Sequence, residues 1–123
     1  MASLYRILIK THHMTSRSKI QTITKAAKRL SCSVLLKTGG PPGIMIAEGQ
    51  EALEWMEIVR KLRYKDYHLL KKEPVQDQRL DIPAGTVKEL TSMKELGAFL
   101  SQDEEICRWW RVNMGYVKDD DEP

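Results

Sequence analysis

Gly39-Gly40-Pro41-Pro42-Gly43-Ile44-Met45-Ile46-Ala47-Glu48-Gly49 is the stretch on which the reading of this chain turns. Glycine and proline supply backbone conformations that other residues avoid, so Thr38 to Gly43 reads as a loop. Ile44 to Ala47 is apolar throughout, as in a strand covered on both faces. Gly49 then stops the strand, and a second helix begins. If Gly49 holds a positive φ, a β-branched residue there is strained.

Upstream, Leu4 to Lys10 is rich in large apolar residues and reads as the first strand. Tyr5, Ile7 and Ile9 alternate with Leu4 and Leu8, so both sheet faces carry apolar groups and both need cover. Thr15 or Ser16 is placed to cap a helix in which Ile20, Ile23, Ala27 and Leu30 recur at helical spacing. Lys25, Lys28 and Arg29 fall on its opposite face. Ser33 to Lys37 is the second strand.

Downstream of Gly49, a helix from about Gln50 to Leu62 buries Leu53, Trp55, Met56, Val59 and Leu62. Its acids stand early and its bases late, as the helix dipole favours. Asp66 to Lys71 is a fourth strand. Lys72 to Thr91 is a long polar loop with a short strand near Val87. Ser92-Met93-Lys94-Glu95 is a capping box, and Ser101 to Glu104 repeats the start signal before Ile106, Trp109, Trp110 and Met114. The order β-α-β-β-α-β predicts an α+β, ferredoxin-like sandwich over residues 4–116, with an additional C-terminal helical pair as a second cover. Residues 117–123 are expected to be a disordered acidic tail.

The totals exclude several classes. A chain of 123 residues suits one domain, and no apolar run approaches the ~20 residues of a membrane span. Leu4 lies close to a start that lacks the features of a signal peptide. Cys32 and Cys107 form no CxxC pair and read as buried free thiols, which suits the nucleus or cytoplasm. Metal is not expected: His12-His13 lacks further ligands at suitable spacing, leaving a phosphate contact or plain loop residues. No nucleophile stands beside a base, and the glycine-proline turn precedes a strand where a phosphate loop precedes a helix. No enzyme activity and no cofactor are expected.

Charge is uneven. Residues 1–72 hold 14 basic side chains against five acidic, and residues 73–123 hold six against 12. The split fits a basic body facing a polyanion, or two ordinary solvated surfaces. His12, His13, Lys25, Lys28, Arg29, Arg60, Lys61, Arg63 and Lys65 are the candidate RNA contacts, flanking one groove between the two helices. Trp109 and Trp110 are the candidates for a protein contact, against the plainer reading that both complete the core.

His12-His13, Pro42-Gly43, Ile44-Met45-Ile46-Ala47, Glu48-Gly49, Arg60-Lys61-Leu62 and Met93 to Leu100 occur here in an order that resembles one known family. It is the C-terminal domain shared by pre-mRNA-processing factor 3 and RWD-domain-containing protein 2, and the resemblance covers roughly residues 4–114. It implies a ferredoxin-like fold. On one branch it implies a non-catalytic RNA-binding module of a ribonucleoprotein in pre-mRNA splicing. The other branch implies a protein-interaction or scaffold domain associated with an RWD module, so the partner is a structured RNA or a protein.

Overall fold

The computed structural model describes residues 3–118. Nine elements follow in order: β1 (Leu4–Thr11), α1 (Arg17–Leu30), β2 (Ser33–Lys37), β3 (Gly43–Gly49), α2 (Ala52–Arg60), β4 (His68–Val75), β5 (Val87–Leu90), α3 (Met93–Leu100) and α4 (Glu104–Asn113). The sheet order is β4-β1-β3-β2-β5. β1 to β4 pair antiparallel in the ferredoxin-like arrangement, and β5 adds to β2 in parallel at the edge. The fold class expected from the sequence is therefore the one observed. Several expected bounds shift by a residue or two, α2 being shorter at both ends and β4 starting at His68. β4 runs on to Val75 through what reads as loop, and the expected tail residues 119–123 lie outside the described residues.

Alternation along the strands decides the layers. Ile7, Ile9, Val34, Leu36, Met45 and Ala47 face α1 and α2, where Ile20, Ile23, Ala27, Trp55, Met56 and Val59 meet them. Leu8, Leu35, Ile44 and Ile46 face the other way, onto Leu80, Ile82, Leu96, Leu100, Ile106 and Trp110. β2 and β3 are buried along their whole length because each face has its own cover. The helical pair α3–α4 thus provides the second cover, together with Leu80 and Ile82 from the β4–β5 connection.

The helix starts follow their side chains. Ser16 Oγ accepts from Lys19 N at 3.3 Å, and Ser92 Oγ accepts from Glu95 N at 3.0 Å. Glu95 reaches back to the amide of Thr91, one residue earlier than a capping box places it. Asp103 Oδ1 accepts from the amides of Glu105 and Ile106. At the other end of α4, Gly115 takes a φ of 83°, which a left-handed helix stop requires.

The glycine-proline turn is held from inside the sheet. Lys37, buried at the end of β2, donates through Nζ to the carbonyls of Gly40 and Pro42 at 2.7 and 3.0 Å. Gly39 and Met14 exchange main-chain hydrogen bonds, joining the β1–α1 loop to this turn. Gly49 does not hold a positive φ. It is needed for space, because a Cβ there would stand 3.2 Å from Cys32 Sγ and 3.3 Å from Cys32 Cα.

Gly43 is tighter still: an added Cβ would meet Thr11 Oγ1 at 2.3 Å and Met14 Cγ at 2.5 Å. Both neighbours are buried and cannot swing aside freely. Gly43→Ala is expected to cost about 1–3 kcal/mol, read as a lower urea midpoint at unchanged slope. An unchanged midpoint would contradict this packing.

Candidate functional site

Polar side chains are scarce inside this molecule, and three of the buried ones, Arg6, Glu48 and Ser33, stand in one row. Arg6 in β1 lies directly across from Glu48 in β3 and from Glu73 in β4, while Glu48 lies across from Ser33 in β2. Even-numbered residues of β1 point away from α1 and α2, so the row crosses the face beneath α3–α4 and the β4–β5 connection.

Each member is held. Arg6 Nε donates to Glu48 Oε2 at 2.6 Å, with both side chains at most 4% exposed. Glu48 Oε1 also accepts from the amides of Arg79 and Leu80 at 3.0 and 2.7 Å. The carboxylate therefore fixes the β4–β5 connection onto the sheet. Ser33 Oγ donates to the Ile82 carbonyl at 2.6 Å and accepts from Gln78 Nε2 at 3.0 Å, repeating the anchor one strand away. Removing one partner of such a buried pair leaves a charge without compensation, at a cost of about 3–5 kcal/mol.

α4 closes the row from above. The Arg6 guanidinium lies 5.2 Å from the centre of the Trp109 ring, and Trp109 Nε1 donates to Glu73 Oε2. Arg79 reaches Asp103 at 3.5 Å and Glu105 at 3.0 Å, tying the connection to the start of α4. Arg6, Glu73, Asp77, Arg79, Glu105 and Trp109 border a cavity of about 430 Å³.

Of the residues read from the sequence as an RNA surface, the structure joins His12, His13 and Lys65 and distributes the others along α1 and around the end of α2. His12 and His13 meet edge to edge, their Nδ1 atoms 2.9 Å apart, and the His12 amide donates to the Lys65 carbonyl. Lys25 lines a groove with Arg17 and Glu89 on the β5 side of α1, whereas Arg29 turns to Glu54 of α2 at 3.7 Å. Lys28 is exposed, with its backbone beside Gly85. Arg60 is bound to Glu57 of its own helix; Lys61 and Arg63 are exposed in the turn after it. Of the tryptophans, Trp110 is buried in the core under α4, and Trp109 is half-buried in the polar row. Arg6 and Glu48 were missed. The signal available was an arginine flanked by apolar residues in β1 and a glutamate ending an apolar strand.

The thiols differ from each other. Cys32 is fully buried, and burial pushes its thiol up to about 11, whereas Cys107 lies half-buried beside a groove along α4. Among the described residues no group of acids, histidines and cysteines could hold a metal ion.

No protein-family model matches this chain, and no curated protein does. Solved structures do. BlrB, a BLUF protein in its dark state, is 19% identical, with 94% of this chain and 92% of that one covered and a TM-score of 0.58. Klebsiella pneumoniae BlrP1 with FMN and cyclic diGMP is 15% identical, covering 90% of this chain and 36% of that one, with a TM-score of 0.59. A bacterial light-regulated adenylyl cyclase is 18% identical, covering 93% of this chain and 36% of that one, with a TM-score of 0.55. This chain therefore spans about a third of the two longer proteins. At these identities the likeness is one of fold.

The expected membership in the splicing-factor and RWD-associated family is overturned by these neighbours, among them the BLUF proteins BlrB and BlrP1. With it fall the RNA-binding, ribonucleoprotein and splicing function, the RNA partner, the RWD-associated scaffold alternative and the nuclear location. The quoted motifs have structural causes here: Pro42-Gly43 is the turn held by Lys37, Glu48 the partner of Arg6, and Gly49 the glycine against Cys32. As for the membrane, no helix among the described residues is long and apolar enough to cross one.

FMN accompanies one of these neighbours, and the residues of this chain do not fit it. A flavin ring needs a flat slot with polar partners along one edge. Between α1 and α2 the fully buried Trp55 occupies the layer, its indole donating to the Ile23 carbonyl of the facing helix at 3.3 Å. Ile20, Met45, Met56 and Val59 fill in around it. Tyr64 Oη is the single buried polar side-chain atom without a hydrogen-bond partner in that layer among the described residues.

At pH 8 a thiol-reactive probe is expected to label Cys107 first and Cys32 only on unfolding. The raised Cys32 value leaves about a hundredfold less thiolate than an ordinary thiol, and the site is closed as well. Rapid loss of both thiols in the native state would contradict that placement.

Proposed function

We propose that this chain is a signalling module of the BLUF fold that works without a flavin and passes its state to a protein effector through α4. The observation that carries the reading is the coupling of α4 to the central strand β1, by Trp109 over Arg6 and Trp109 donating to Glu73. A change in how that row is packed moves α4, which exposes Glu104, Arg108 and Arg111 to a neighbouring protein domain. The fold neighbours support the effector half: in BlrP1 and the light-regulated adenylyl cyclase the matched region is about a third of a longer chain. The closed layer around Trp55 supports the flavin-free half. Half-buried Trp109 is the residue through which this module acts.

Two measurements test it. The purified chain, after equilibration with excess FMN and desalting, is expected to show no absorption between about 400 and 500 nm; bound flavin near one per chain would refute the flavin-free reading. Separately, this chain can replace the matched third of the light-regulated adenylyl cyclase. Cyclase activity is expected to ignore blue light and to change at least about threefold with Trp109→Ala. Activity equal in both chimeras would refute the role of α4.

A further inference from the structure

Arg6 engages Glu48 through Nε alone, so the fork of its guanidinium is left over. Its Nη1 and Nη2 make no hydrogen bond among the described residues, although the side chain is only 4% exposed and lines the cavity of about 430 Å³ under α4. A planar fork of N–H donors at the wall of a solvent-reached cavity matches a carboxylate in two-point geometry. Glu48 cannot turn to supply it, because its oxygens already accept from the amides of Arg79 and Leu80.

The rest of the lining narrows the ligand. Glu73 and Glu105 are engaged, with Trp109 and Arg79 respectively, but Asp77 borders the same cavity and has no hydrogen bond or ion pair among the described residues. Three carboxylates against two guanidiniums reject a simple anion, since like charges in a partly dry site oppose its entry. A ligand carrying both a carboxylate and an ammonium answers both unused groups.

We propose that the cavity beneath α4 binds a free α-amino acid, its carboxylate on the Arg6 fork and its ammonium on Asp77 beside Glu73. The space under Trp109 leaves room for a small or medium side chain. Binding then clamps α4 to the sheet, which supplies a signal to the module proposed above. The site itself is tested on the isolated chain, so a failure of the cyclase chimera leaves it standing.

The experiment is a thermal-shift and calorimetric titration of the chain with the twenty amino acids at up to 10 mM, alongside acetate, methylamine and inorganic phosphate. At least one amino acid is expected to raise Tm by about 2–5 °C, while the three single-charge probes leave it unchanged. Asp77→Asn, an exposed change, is expected to weaken binding at least about tenfold. Arg6→Lys, which keeps the charge beside Glu48 but removes the fork, is expected to do the same. No shift with any amino acid, equal shifts with acetate or phosphate, or full affinity in Asp77→Asn would overturn the proposal. Should Arg6→Lys fail to fold, the Asp77 variant and the single-charge probes still decide it.

Discussion

The ion pair between Arg6 and Glu48 is the constraint on which this structure depends. Two charges on adjacent central strands, each walled by apolar neighbours, are tolerable only if they pair and the buried carboxylate finds further donors. Glu48 meets that demand with three N–H donors, two of them from a connection that would otherwise have no reason to lie on the sheet. The pair also fixes register. Sliding β1 by one residue would turn Arg6 into the layer of Ile23 and Trp55, where nothing can receive it.

The sequence made the layers legible and the pair illegible, for the same reason. Period-two alternation in Leu4 to Lys10 announces two apolar faces, and helical spacing in Ile20 to Leu30 announces what covers one of them. Against that pattern Arg6 reads as an ordinary polar interruption, because a buried charge is recognised only by its partner, 42 positions away. Glu48-Gly49 likewise reads as a helix-start signal, when one residue is a core ion and the other a gap for Cys32. The continuation of β4 to Val75 was hidden by Pro74, which an edge strand accepts.

Charge along the chain also misled. The basic first part and acidic second part look like opposed surfaces, yet folding interleaves them: Arg17 of α1 grips Glu89 of β5, and Lys71 approaches Glu73 on β4. The Arg17 guanidinium, aided by Thr38, holds the Glu89 carboxyl below its ordinary range. A polyanion surface requires charges that share a face, and sequence position does not record that. The short motifs behind the family resemblance failed similarly, since turns and strand ends in ferredoxin-like folds call for the same glycines and prolines whatever the protein does.

The order β4-β1-β3-β2-β5 leaves two open margins, and each is guarded. β4 presents Lys71, Lys72 and Pro74, a run that repels and misaligns an incoming strand, while β5 has only four residues and is flanked by the Arg17–Glu89 clasp. Sheet extension from one copy to the next, the ordinary route to fibres and domain exchange, is thereby suppressed on both sides.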